Sequence, residues 1–150
     1  MAELKRVAAL ALLVTLAGSG VGGGPLHAGP TGRGALEPCP SQSLPAFLRS
    51  FSESVVVQRA FTYFPLKLLH VVDGPDEPVT LRTMSGRGAV SYPIYPSRRA
   101  AASERLETKV EEGRRSAIVT LEQPDTDNQI RFRFVRTDCW YLTERYDASL

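Results

Sequence analysis

The strongest constraint on the fold is a run of alternating side chains near the C terminus. Ile130, Phe132 and Phe134 fall on one face of an extended chain, whereas Arg131 and Arg133 fall on the other. Because successive side chains of a β-strand point to opposite faces, the pattern predicts a half-buried antiparallel strand. The turn-forming sequence PDTDN separates this run from SAIVTLEQ, which predicts a hairpin.

A further strand is predicted directly after this hairpin, in the run CWYLTERY. Trp140 and Leu142 alternate with their neighbours, so we expect them to face the core with the phenylalanines. The same alternation places Arg145 on the opposite face, beside Arg131 and Arg133. The C-terminal third therefore predicts three consecutive antiparallel strands.

The N-terminal part of the domain is predicted to be helical. Apolar residues recur at the spacing of an amphipathic helix, and Ser43 precedes them as an N-cap; they are Leu44, Phe47, Leu48 and Phe51. A second short helix is expected near residues 50–56, strands at 60–72 and 79–84, and a helical turn followed by a strand over 98–112. The fold class is therefore α+β, with short N-terminal helices packed on a curved antiparallel sheet.

The two cysteines that follow the leader are Cys39 and Cys139. In an oxidising compartment, an even pair most simply forms a disulfide, which here would close a loop of about 100 residues. Two free thiols are the alternative. A nucleophilic Cys139 would need a lowered thiol pKa, which the neighbouring Asp138 opposes. No set of metal ligands is evident, so the sequence predicts neither a metal nor another cofactor.

The first 28 residues have the layout of a secretory signal peptide. Lys5 and Arg6 precede an apolar run, and small residues follow with possible cleavage near Ser19 or Ala28. We therefore expect a signal peptide at 1–28, a flexible lead-in rich in Gly and Pro at 29–43, and one domain at 44–150. The protein is then periplasmic or secreted, without stable membrane insertion after cleavage. Its net charge of +2 does not suggest a nucleic-acid-binding face.

Two stretches, FLRSFSESVVVQRAFTYFPL and CWYLTERYDASL, carry a resemblance to known proteins. They resemble an uncharacterised family of bacterial envelope proteins, which is similar to the cone-shaped α+β fold of nuclear transport factor two and the SnoaL-type cyclases. Residues 72–116 are unmatched, and Arg59 departs from the family pattern. The matching positions are Phe47, Phe51, Gln58, Phe64, Pro65, Leu66, Trp140, Leu142, Asp147 and Ser149.

This resemblance implies helices packed across a curved sheet, with an apolar pocket at its open end. We expect Phe47, Phe51, Phe64 and Trp140 to border that pocket, which would accept a small apolar ligand. The fold hosts isomerases, dehydratases, binding modules and scaffolds, so it implies no function by itself.

Three other groups of residues are candidates for function. Arg131 and Arg133 could bind an anionic ligand or an acidic protein, or could form a solvated face paired with Glu122 or Glu144. The sequence SYPIYP predicts a loop of exposed aromatics, a possible contact surface. His70 is a weak catalytic candidate, as a general base with Asp73 or Asp138.

The sequence favours an exported, non-enzymatic domain of the cell envelope that binds a small apolar ligand or a protein partner. A small-molecule isomerase, cyclase or dehydratase using His70 is one alternative. An inhibitor of an envelope-acting toxin is another. No motif, such as a Gly-x-Ser-x-Gly elbow, identifies a reaction.

Overall fold

The structure is a computed structural model that describes residues 37–149. The predicted signal peptide, 1–28, and most of the predicted lead-in lie outside the described residues. The elements are α1 (Leu44–Glu53), α2 (Val55–Ala60), β1 (Thr62–Val72), β2 (Val79–Ser85), α3 (Arg98–Ser103), β3 (Glu107–Glu112), β4 (Ser116–Glu122), β5 (Gln129–Arg136) and β6 (Trp140–Asp147). The predicted α+β class is confirmed, with helices on a curved sheet.

The strands form a six-stranded sheet in the order β2-β1-β6-β5-β4-β3. All neighbouring pairs are antiparallel except β1 and β6, which run parallel. Strands that are joined by short turns pair antiparallel, whereas β1 and β6 are joined through the rest of the domain and can run in the same direction. The sheet is therefore mixed rather than wholly antiparallel.

The core lies between α1 and one face of the sheet, which we call the inner face. Phe47 and Phe51 of α1 are fully buried and meet Phe134 of β5 edge-on, with ring centroids 6.0 and 5.4 Å apart. Edge-on packing is favourable because the positive rim of one ring meets the negative face of the other. Trp140 and Leu142 are also fully buried, as the alternation predicted.

A disulfide joins the start of the domain to the start of β6. Cys39 and Cys139 are bonded, with their Cα atoms 5.7 Å apart, as the sequence predicted. The adjacent Trp140 donates from its indole nitrogen to the carbonyl oxygen of Gln42 at 3.0 Å. The side chain of Gln42 in turn donates to the carbonyl oxygen of Asp138. The cysteine and the tryptophan therefore hold the same short segment against the last strand.

The last strand contains a β-bulge at Thr143, where β6 has one residue more than β5. On the C-terminal side of the bulge, Glu144 pairs with Arg133 on the face that points away from α1, the outer face. Because one extra residue reverses the alternation, Tyr146 also lies on the outer face and Arg145 lies on the inner face. The prediction that Arg145 joins the arginine face is therefore wrong.

The loop between β2 and α3 is held by a buried glutamine. Gln58 of α2 is 1% exposed, and its amide donates to the carbonyl oxygens of Phe51 and Tyr95, both at 2.9 Å. Its side-chain oxygen accepts from the backbone nitrogens of Ile94 and Tyr95 at 2.7 and 3.3 Å. Tyr95 is consequently 6% exposed and Tyr92 is half-buried, so the expected loop of exposed aromatics is wrong.

Candidate functional site

The outer face of the sheet carries a group of cations on neighbouring strands. Arg131 and Arg133 are exposed on β5, Lys67 lies on β1, and Arg82 lies across from Leu69 on β2. Alternation on these strands turns all four cations away from α1. We call the surface formed by Lys67, Arg82, Arg131 and Arg133 the cationic face.

A groove of about 240 Å³ crosses the cationic face. Its apolar floor is formed by Leu69 of β1 and Ile118 of β4, which lie on either side of β6 and β5. Arg131, Arg133, Glu144 and Tyr146 complete the lining. The groove therefore combines apolar surface with guanidinium groups that can donate to an anion.

Two contacts position the arginines of the groove differently. The guanidinium carbon of Arg131 lies 4.2 Å from the centroid of the Tyr146 ring, a cation–π contact that orients its donors. The Nε atom of Arg133 lies 3.9 Å from Oε1 of Glu144. The other carboxylate oxygen of Glu144, Oε2, lies 2.7 Å from the Nζ atom of Lys67. The bulge at Thr143 makes both contacts possible, since it places Glu144 and Tyr146 on this face.

The groove carries more positive than negative charge. Its lining has two cations, Arg131 and Arg133, and one carboxylate, Glu144, which is also paired with Lys67. Glu122, the other expected partner of the arginines, pairs with Lys109 instead. Within residues 37–149, Arg131 makes no ion pair. The arginines are thus only partly neutralised by neighbouring strands.

The aromatic residues expected around an apolar pocket lie in or beside the core. Phe47, Phe51 and Trp140 are fully buried, and their rings fill the space between α1 and the sheet. Phe64 is half-buried on β1, where the guanidinium of Arg87 covers its ring at 4.7 Å. None of these four residues lines the groove on the cationic face.

The structure does not pair His70 with either of the acids expected as its partners. His70 is exposed near the end of β1, and Asp73 follows it in the loop. Asp138 precedes β6 and lies at the opposite end of that strand, since His70 is the register partner of Asp147. His70 makes no ion pair or side-chain hydrogen bond to an acid in the part of the chain that the structure describes.

A second cleft, of about 220 Å³, lies between α1, α3 and strands β3 and β4. We call it the helix cleft. No sequence pattern predicts it, because its residues come from four elements and one loop and share no motif. Its lining comprises Pro45, Leu48, Arg49, Ser52, Tyr95, Pro96, Arg98, Ala101, Thr108 and Leu121.

Tyr95 has an unusual ionisation equilibrium, because burial of its side chain raises the pKa of the phenol to about 12. In the unfolded chain this pKa is about 10. The phenol's contribution to stability is therefore fully present below about pH 10 and is lost as the pH rises through about 12. Two pKa units correspond to about 3 kcal/mol.

We expect the late tyrosinate absorbance step in a pH titration to disappear in Tyr95→Phe. The variant should also lose less unfolding free energy than wild type between about pH 10 and 12, because it lacks the buried phenol. Parallel urea titrations at each pH would measure this difference. Identical pH profiles for the two proteins would contradict the assignment.

None of the helices in residues 37–149 is long and apolar enough to cross a bilayer. Within the same residues, no three His, Cys, Asp or Glu side chains are grouped so that they could hold a metal ion.

No family model matches the sequence, and no curated protein matches it significantly. In structure, the chain is similar to an NTF2-like protein from Bacteroides fragilis, with 17% identity and a TM-score of 0.47. The match covers 71% of this chain and 47% of that protein, so the chain spans about half its length. A structure from a study of de novo designed proteins with diverse pockets is also similar, with 10% identity and a TM-score of 0.33. That match covers 67% of this chain and 89% of the designed protein. These likenesses say nothing about activity or ligand.

Proposed function

We propose that this chain is an exported, non-enzymatic binding domain whose cationic face docks an acidic surface of a partner protein. The observation that carries the proposal is the groove in which Arg131 and Arg133 are exposed beside Tyr146 and only partly neutralised by Glu144. Arginine and tyrosine are, with tryptophan, the residue types that most often contribute large binding energies at protein interfaces.

The extent of the outer face supports a macromolecular partner. Six strands spaced about 4.8 Å apart and about seven residues long give a face of roughly 600 Å². A typical protein interface buries about 800 Å² on each partner, so the sheet supplies most of the required area. The groove is lined by both charged and apolar side chains, which suits the mixed side chains of a docked surface.

The charges on the cationic face support an acidic partner in particular, whereas Glu107 and Glu111 of β3 lie at the far edge of the outer face. Arg131 makes no ion pair within residues 37–149, and Arg133 meets Glu144 only at 3.9 Å. A carboxylate of the partner can therefore accept hydrogen bonds from either guanidinium without displacing a close internal pair. An acidic surface also approaches this face faster, because opposite charges steer the encounter.

Export is supported by the leader pattern in residues 1–28 and by the disulfide between Cys39 and Cys139. Disulfides persist in oxidising compartments such as the periplasm and are rare in the cytosol. The binding function is favoured over the enzyme hypothesis because His70 lies on the exposed end of β1, away from Asp138. An inhibitor of an envelope-acting toxin is one protein that would bind in this way.

Site-directed photocrosslinking in the organism that encodes the chain would test the proposal. Met84 is half-exposed on the outer face, across from Lys67, and can be replaced by a photoreactive phenylalanine derivative. We expect a discrete adduct with an acidic protein. Purified partner should then bind the Arg131→Glu, Arg133→Glu double variant at least about thirtyfold more weakly, the loss typical of an interface hot spot.

The matched control is Arg99→Glu, which reverses an exposed charge on α3, outside the cationic face. Its adduct and affinity should equal those of wild type, and raised salt should weaken wild-type binding. The proposal is wrong if no adduct forms, or if the double variant, shown to be folded by urea denaturation, binds the partner as tightly as wild type.

A further inference from the structure

The helix cleft has an apolar floor that is built into the core. Leu121 of β4 is 1% exposed and Tyr95 is 6% exposed, while Leu48 of α1 packs against the same core cluster. Ala101 of α3 contributes a small side chain to the lining. Because these groups are held by the core, the floor is preformed and a ligand would bury apolar carbon against it.

The rim of the helix cleft is positively charged. Arg49 of α1 is exposed and makes no ion pair or side-chain hydrogen bond to any residue among 37–149. The Nε atom of Arg98 donates a hydrogen bond to Oε1 of Glu53 at 3.0 Å. This hydrogen bond lowers the pKa of the Glu53 carboxyl. The terminal nitrogens of Arg98 take no part in this contact. Two guanidinium groups therefore face a cleft that no acid lines.

Tyr95 adds a fixed polar group to the floor. The side chain of Gln58 donates to the carbonyl oxygen of Tyr95 and accepts from its backbone nitrogen. The centroid of the Tyr95 ring lies 4.7 Å from that of Phe132 and 5.9 Å from that of Phe51. Its hydroxyl makes no hydrogen bond to another described residue. Like other tyrosine hydroxyls it is protonated at neutral pH, so it can donate a hydrogen bond to a ligand.

We propose that the helix cleft binds a small organic acid, with its carbon skeleton on Leu48, Tyr95 and Leu121 and its carboxylate at Arg49. Clefts for drug-sized ligands measure about 300 to 1,000 Å³. At about 220 Å³, this cleft suits a molecule of a few carbon atoms. A guanidinium recognises a carboxylate through two parallel hydrogen bonds, which makes the acid the preferred ligand over a neutral compound of equal size.

This site is independent of the proposed partner-binding surface. Arg49 belongs to α1, on the inner side of the sheet, whereas the cationic face points away from α1. The loss of one site therefore leaves the other intact, and the two hypotheses can fail separately.

Binding is tested by NMR titration of the intact, disulfide-bonded protein with hexanoate and, separately, with 1-hexanol. We expect hexanoate to shift the resonances of Leu48, Tyr95 and Leu121 in a saturable way, and 1-hexanol to bind at least about tenfold more weakly. Arg49→Met keeps most of the apolar stem of the side chain and removes the charge. It should weaken hexanoate binding about tenfold and leave 1-hexanol binding unchanged.

Arg99→Met is the matched control, because Arg99 is exposed on α3 and does not line the cleft. It should bind hexanoate as wild type does. The proposal is overturned if hexanoate does not shift these resonances at millimolar concentration. It is equally overturned if hexanoate and 1-hexanol bind alike, or if Arg49→Met retains wild-type affinity for hexanoate.

Discussion

Cys39→Ser should lower the free energy of unfolding by about 4 to 5 kcal/mol. The disulfide links residues separated by 100 positions, and constraining so long a loop in the unfolded chain is worth about 4.7 kcal/mol in the chain-entropy account. The substitution removes the cross-link from the exposed end and leaves the buried Cys139 in place. Little packing is lost, so the change measures the cross-link itself. Urea denaturation followed by tryptophan fluorescence would report it.

Reduced wild-type protein serves as the control for this experiment, because it loses the cross-link without any substitution. It should match Cys39→Ser within about 0.5 kcal/mol. Hydrogen exchange should also accelerate over residues 39–43, where the indole of Trp140 donates to Gln42. A difference of less than about 1 kcal/mol between oxidised and reduced protein would show that the unfolded chain is already constrained by other contacts.

Gln58→Leu should destabilise the domain by about 3 to 5 kcal/mol. The side chain is 1% exposed and satisfies four backbone groups: two carbonyl oxygens and two amide nitrogens. Leucine fills a similar volume and leaves all four groups without a partner. Each unsatisfied buried polar group costs about 1 to 3 kcal/mol, although the loop can relax to recover part of this energy. Near-UV circular dichroism should also change, because the loop that holds Tyr95 is no longer anchored.

Gln58→Glu keeps the size and shape of the side chain but removes the amide group that donates two hydrogen bonds. The carboxylate can still accept from Ile94 and Tyr95 but cannot donate to the two carbonyl oxygens, and burial raises its pKa. A group with a raised folded-state pKa stabilises most at low pH and loses that contribution as the pH rises through this pKa. The variant should therefore be closest to wild type in acid. Gln129→Leu, at a half-buried position without such bonds, should change stability by less than about 0.5 kcal/mol; an equal loss there would contradict the role of Gln58.

Local patterns predicted most of the secondary structure. The helical spacing of Leu44, Phe47 and Phe51 is set by the face that α1 buries, and the alternation of Phe132 and Phe134 is set by the inner face of β5. These signals lie within single elements, so they are readable without knowing the tertiary fold. The cysteine pair could be predicted for a different reason, since an even pair after a predicted export signal most simply forms a disulfide.

Features that depend on contacts between distant elements could not be predicted. The bulge at Thr143 is defined by the register of β6 against β5, and no pattern in the sequence TERYD predicts it. The face of the sheet that carries Arg145 was therefore predicted wrongly. Gln58 was noticed only through the resemblance, because a polar residue beside an arginine reads as surface. Its burial follows from the path of the loop that contains Tyr95.

For the candidate sites too, residues within one strand could be predicted to lie together, whereas residues from different elements could not. Arg131 and Arg133 were predicted to share a face, because that follows from alternation within one strand. Tyr146, which orients Arg131, and Glu144, which contacts Arg133, were not associated with them. The helix cleft was missed altogether, since α1, the loop, α3 and the sheet meet there only after folding.

β6, the last strand among residues 37–149, occupies an interior position of the sheet, between β1 and β5. Until residues 140–147 have been synthesised, the β1–β2 hairpin and the three-stranded unit of β3, β4 and β5 have no common neighbour, and the core lacks Trp140. The domain therefore cannot close around its core until β6 has been synthesised, because β6 joins the two parts of the sheet. Contacts of such long sequence separation also make folding slow relative to a helical bundle of equal size.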